Sequence, residues 1–116
     1  MADKVGWFEV VGNDGQKLRD FYGSVFGWSF QMGDDASMDY GMTNPGDTGI
    51  GGGVGTSPAG PHATFYVEVD DPQGTLDKIE AAGGEVVMPV TELPMVTLAQ
   101  FKDPEGNLVG LFKGMG

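Results

Sequence analysis

The order strand, helix, strand, strand, strand recurs in this chain at a spacing of about 57 to 59 residues, and no other feature restricts its fold so closely. The first copy opens with KVGWFEVVG, where Trp7, Glu9 and Val11 alternate with Phe8 and Val10 as a strand requires. Asn13 or Asp14 then caps a predicted helix whose Leu18, Phe21, Tyr22 and Val25 fall at i, i+3, i+4 and i+7, and Gly27 stops it. Short strands are predicted near Trp28–Met32, Met38–Thr43 and Gly49–Val54, separated by GDD and NPGD turns. In the second copy HATFYVEVDD leads into a helix that starts at Pro72, turns Leu76 and Ile79 inward and ends at Gly83-Gly84. Strands near Glu85–Met88, Val96–Phe101 and Leu108–Phe112 follow, with the DPEG turn at Asp103–Gly106 matching NPGD at Asn44–Asp47. The expectation is an α+β fold of two βαβββ modules, roughly residues 4–55 and 61–113, within one domain covering 1–116, because a chain of 116 residues fills one core and not two.

Alternation divides the opening strands into two faces. Phe8, Val10, Phe65, Val67 and Val69 are expected to pack under the helices, leaving Trp7, Glu9, Thr64, Tyr66 and Glu68 on an opposite, mixed face. Two carboxylates and two aromatics on a sheet face are either solvated exterior or the lining of a cavity, and pairing two such modules favours the cavity.

Composition removes several classes of function. Six basic residues against seventeen acidic ones give a formal charge of −11, which disfavours nucleic acid and anionic membranes and attracts cationic small molecules. No apolar run is long enough for a bilayer and MADKVGWFEV is unlike a signal peptide, so a cytoplasmic protein is expected. The absence of cysteine excludes disulfides, thiolate metal sites and cysteine nucleophiles, and the single histidine, His62, excludes a three-histidine metal site within one chain. The glycine cluster GIGGGVG, Gly49 to Gly55, lacks the Lys-Ser/Thr ending of a phosphate loop and reads as tight strand and turn backbone. Ser24 and Ser57 lack the context of a nucleophile.

The strings WFEVVGNDGQKLRDFYGSVFGW, FYVEVDDPQGTLDKIEAAGGEVV and QFKDPEGNLVGLF resemble the vicinal oxygen chelate superfamily, which includes glyoxalases and bleomycin-resistance proteins, over essentially the whole chain. LRDFYGSVFGW and DPEGN are the most specific parts. The resemblance implies two βαβββ modules forming a cupped mixed sheet around a small-molecule pocket, often in a homodimer. It also implies, for catalytic members, a divalent metal held by His, Gln or Glu on the first strand of each module and Glu on a last strand, acting as a Lewis acid. Carried over, those positions fall on Trp7, Thr64 and Gly110, none of which is an ordinary metal ligand. Glu9 and His62 stand one alternation step from Trp7 and Thr64, about 6 to 7 Å by strand rise, and Glu68 stands two steps from Thr64. No metal and no other cofactor is therefore expected.

The candidate ligand-binding residues are Trp7, Glu9, His62, Thr64, Tyr66 and Glu68. Trp7 and Tyr66 offer π faces to a flat or cationic ligand, or are plain packing; Glu9 and Glu68 bind a cation or act as an acid–base pair; His62 is a rim group or an exposed strand end. Gln100 is a further amide contact, and Phe101, Phe112, Met38, Met42, Met88 and Met95 read as core or pocket wall. The leading functional expectation is a metal-independent small-molecule-binding protein for a metabolite or antibiotic, cationic or aromatic, in a homodimer. The alternatives are a lyase, isomerase or dioxygenase-like enzyme with an atypical carboxylate site, and a protein-interaction module.

Overall fold

Local signals start and stop the helices where the sequence places them. In a computed structural model that describes residues 2–33 and 38–114, Asp14 rather than Asn13 caps the first helix: its carboxylate accepts from the Lys17 amide at 3.1 Å. That helix, α1 (Gly15–Phe26), ends at Gly27, whose φ of 77° is left-handed and lets its N–H reach back to the Gly23 carbonyl. Asp71 caps α3 (Pro72–Ala81) in the same manner, with Pro72 at the first helical turn where its missing N–H costs nothing. NPGD is a helical turn rather than a simple turn. Asn44 accepts from the Gly46 amide and Pro45 occupies the first position, so Pro45–Thr48 winds once as α2. The expected GDD turn runs into residues 34–35, outside the described residues.

The strands are β1 (Lys4–Gly12), β2 (Phe30–Met32), β3 (Tyr40–Thr43), β4 (Gly51–Thr56), β5 (His62–Glu68), β6 (Glu85–Glu92), β7 (Val96–Lys102) and β8 (Leu108–Gly114). Two units divide them, one being Trp7–Ala63 and the other the first residues through Gly6 with Thr64 onward. Each unit has the same topology. In the first, β2, β3 and β4 form an antiparallel meander and β1 joins β4 in parallel; in the second, β6, β7 and β8 form the meander and β5 joins β8 in parallel. A helix after the first strand supplies the connection that the parallel pairing requires. The chain is thus an α+β protein built from two βαβββ units. No helix among the described residues is long and apolar enough to cross a membrane.

The second unit has an aliphatic core. Val69, Leu76, Ala99 and Leu111 are buried together, with Val67, Ile79, Val86, Val90 and Phe101 packed around them. Leu76 is the keystone: 1% exposed on α3, it contributes about 1.5 to 3 kcal/mol by its burial. Val67 and Val69 pack under the helix as alternation predicts, but Phe65 does not and is 42% exposed. Val67 and Val69, three to five residues before α3, pack against the core around Leu76, whereas Phe65 is seven residues before the helix.

The first unit is organised differently, and its helix presents another face than the spacing of apolar residues predicts. Phe21 and Val25 are exposed, while Gly15 and Arg19 are buried and Leu18 and Tyr22 half-buried. Arg19 is 5% exposed because its guanidinium finds partners inside: Nη1 donates to the Val54 carbonyl at 3.1 Å and Nη2 to Asp39 at 2.5 Å. Hydrogen bonds from Thr56 and then from Arg19 hold the Asp39 carboxyl below its usual pKa. Space for the arginine comes from Gly41, where a Cβ would lie 2.7 Å from Arg19 Cδ. A charged side chain that brings its own partners thereby displaces two apolar ones from the inner face. Alongside it Tyr22 stacks on Trp28 with centroids 5.3 Å apart, and Trp28 meets Phe8 at 5.6 Å.

Candidate functional site

The mixed faces are where chemistry is available, and glycines determine what they look like. In the first unit Trp7 pairs with Gly51, Phe8 with Gly52 and Glu9 with Gly53 across β1 and β4. The Trp7 ring lies over Gly51, 3.0 Å from where a Cβ would stand; on the other face the Phe8 ring occupies the corresponding place at Gly52. The Tyr40 ring, arriving from β3, occupies the Cβ position of Gly53. The GIGGGVG cluster is therefore backbone against which aromatic rings pack closely on both faces, an arrangement that any side chain would prevent.

Laid down in this way, the rings connect three polar groups. Trp7 Nε1 donates to the Tyr40 hydroxyl at 3.1 Å, and the Tyr40 hydroxyl donates to Glu9 Oε2 at 2.9 Å. All three side chains are half-buried. Tyr40 was not among the residues that the sequence singles out. Nothing in the order of residues signals it, because it comes from a third strand and its approach depends on the register of β3 against β4, which sets Tyr40 beside Gly55 and Met42 beside Gly53.

The second unit repeats the device once. Tyr66 pairs with Gly110 across β5 and β8, and its ring occupies the glycine's Cβ position. Gln100, opposite Gly110 on β7, donates its amide to the Tyr66 hydroxyl at 2.9 Å. Tyr66 is 4% exposed and Thr64 is buried beside it, its hydroxyl donating to the Leu108 carbonyl at 2.6 Å. Glu68 is exposed on the same strand. His62 opens β5 half-buried, with Nδ1 3.1 Å from the Gly60 carbonyl. The structure thus brings Trp7 and Glu9 together through Tyr40 in one unit, and Thr64 and Tyr66 together with Gln100 in the other. Met38, Met42 and Met95, read from sequence as core or pocket wall, are exposed at 61%, 39% and 75%. Met95 sits beyond the end of β6, on the hairpin into β7, and Met38 and Met42 lie at or next to β3, close to the edge of their sheet.

Two grooves open elsewhere. One of about 310 Å³ runs between Phe30, Met42 and Pro45 in the first unit, and one of about 390 Å³ lies between Pro72, Val90, Leu93 and Lys113 in the second. Neither is lined by Glu9, Tyr40, Tyr66 or Glu68.

The donor set at the three carried-over metal positions does not fit a divalent ion. The Trp7 nitrogen is a donor already engaged with Tyr40, the Thr64 hydroxyl is committed to a backbone carbonyl, and Gly110 has no side chain and lies under Tyr66. No group of three or more His, Cys, Asp or Glu residues placed to hold a metal occurs among the described residues.

The family model for the Glyoxalase/Bleomycin resistance protein/Dioxygenase superfamily matches residues 4–111, and the chain belongs to that superfamily. A glyoxylase-like domain-containing protein of Didymella fabae is 32% identical over 114 residues, covering 90% of this chain and 88% of its own. The putative glyoxylase CFP32 of Mycobacterium tuberculosis is 27% identical over 118 residues; the match covers 92% of this chain but only 44% of that protein, so the chain spans less than half the length of this relative. Among solved structures, methylmalonyl-CoA epimerase from Mycobacterium tuberculosis superposes with a TM-score of 0.68 at 11% identity, over 97% of this chain and 88% of that one, which is a likeness of fold.

Proposed function

We propose that the protein is a metal-independent small-molecule-binding member of its superfamily. The observation that carries this reading is the fate of the three ligand positions: an indole that donates, a hydroxyl spent on the backbone, and a glycine capped by a tyrosine ring. Aromatic surface and hydrogen-bonding groups stand where charged donors would be needed. Trp7, Glu9 and His62 in one unit, and Thr64, Tyr66 and Glu68 in the other, are the residues proposed for ligand contact. A homodimer and a cytoplasmic location belong to the same proposal.

Metal analysis combined with native mass spectrometry of the protein as isolated tests it. The expected result is substoichiometric Zn, Fe, Ni and Mn, and a thermal midpoint unchanged by chelator. About one metal per chain, lost when Glu9 or His62 is replaced, would overturn the reading. A second reading, an acid–base enzyme, draws support from the Tyr40–Glu9 hydrogen bond, since a phenol and a carboxylate in contact are a proton donor and acceptor. Turnover of a carbonyl or hydroxy-acid substrate abolished by Glu9→Gln would move it to first place.

A further inference from the structure

We propose that Tyr40 is the specificity-determining residue of the Trp7–Glu9 face, and that this face selects a protonated amine carried on a flat ring. The inference rests on the binding-protein reading and deepens it. Its basis is the direction of the hydrogen bonds. The indole N–H is spent on the phenol oxygen and the phenol O–H is spent on Glu9 Oε2, so these two hydrogens of the relay point toward the carboxylate. What this part of the face offers a ligand is the second oxygen of the half-buried Glu9 carboxylate and the half-buried indole ring of Trp7. Donors on a ligand are accepted there, and an incoming carboxylate or phosphate meets neither indole N–H nor phenol O–H.

The guanidinium of Arg19 does not alter this balance. The one arginine of the sequence, Arg19, lies against the opposite side of the same sheet, packed over Gly41 and committed to Val54 and Asp39. A cation over Trp7 gains from the ring quadrupole as well as from Glu9, and a flat ring attached to it finds the indole, backed by Gly51, to stack on. Tyr40 acts here as a positioning residue. It holds one oxygen of Glu9, which fixes the direction of the other, and it silences the indole donor.

The probes are three compounds with one ring and three charges: tryptamine, its neutral alcohol analogue tryptophol, and anionic indole-3-propionate. They are titrated into the full chain while the indole N–H resonance of Trp7 is followed by NMR, with Trp28→Phe used for assignment. Tryptamine is expected to bind about tenfold more tightly than tryptophol, the worth of one charge-assisted contact, and indole-3-propionate more weakly than either. Tyr40→Phe keeps the ring over Gly53 but removes the hydroxyl. It should shift the Trp7 N–H resonance in the free protein and weaken tryptamine about tenfold, leaving tryptophol unchanged. Glu9→Gln should erase the preference among the three probes. Equal affinity for all three, no binding of any, or an equal loss of all three in Tyr40→Phe overturns the proposal. Those results in a metal-free protein leave the binding-protein reading standing, whereas stoichiometric metal removes that reading by its own measurement.

Discussion

Replacing Gly110 by alanine should destabilise the protein far more than one methyl group normally does, because the Tyr66 ring already occupies the place of the new carbon. The contact lies between backbone and a ring that is 4% exposed, so the ring must tilt or the strands must part. Overpacking of this kind costs about 1 to 3 kcal/mol. Tilting also breaks the 2.9 Å bond from Gln100, worth about 1 kcal/mol, while the stiffer unfolded chain of an alanine variant returns roughly 0.4 to 1 kcal/mol. The expected net loss is about 1 to 3.5 kcal/mol, or roughly 10 °C in thermal midpoint at the centre of that range for a domain of this size. Thermal and urea unfolding followed by circular dichroism measure it. Gly114→Ala is the control, since the nearest atom to its Cβ is Glu68 Oε2 at 3.9 Å. The decisive comparison is a double-mutant cycle: in a Tyr66→Leu background the cost of Gly110→Ala should fall below about 1 kcal/mol. An unchanged cost in that background, or a Gly110→Ala variant within about 0.5 kcal/mol of the parent, would refute the packing argument.

Arg19→Met should lower stability by about 1 to 3 kcal/mol in urea unfolding, because it removes the guanidinium bonds to the Val54 carbonyl and to Asp39; Phe21→Gln, on the exposed side of the same helix, should cost less than about 0.5 kcal/mol. Asp39 titrates below its ordinary value of 3.8 in the folded chain, so the stability it contributes is fully present above that pH and is lost as pH falls through the lower folded value. Asp39→Asn should therefore flatten the acid limb of the stability curve below about pH 4 and leave its slope near neutrality unchanged, as read by urea titrations at successive pH values. Light scattering at micromolar concentrations should give twice the mass of the chain, as proposed for a protein whose α1 leaves Phe21, Val25 and Phe26 more than half exposed; a monomer throughout the range would count against it.

Much of the architecture is written in short stretches of sequence. The Asp14 and Asp71 caps, Gly27 at the end of α1, Pro72 at the start of α3 and the period-two alternation of the strands each depend on neighbours within a few residues. Such signals survive in one dimension, and their recurrence after about 57 residues is what announces two βαβββ units. The lack of ligand chemistry at Trp7, Thr64 and Gly110 is equally a matter of residue type, legible once the family pattern is laid on the chain.

Three features were decided only by strands meeting in space. Arg19 is buried because Gly41, Val54 and Asp39, none closer than twenty residues in sequence, give it room and partners. Tyr40 joins Trp7 to Glu9 because β3 and β1 both flank β4, and because Gly53 lets a ring lie where a side chain would stand. Tyr66 fills Gly110 through the register of β5 on β8. Alternation tells which side of a strand a residue faces, but the partner it meets there is set by register, and register is chosen by the packing of the whole sheet. For that reason the sequence by itself determined the elements and the residue types at Trp7, Thr64 and Gly110, and only the tertiary structure decided that the rings of Trp7, Tyr40 and Tyr66 would pack over glycines.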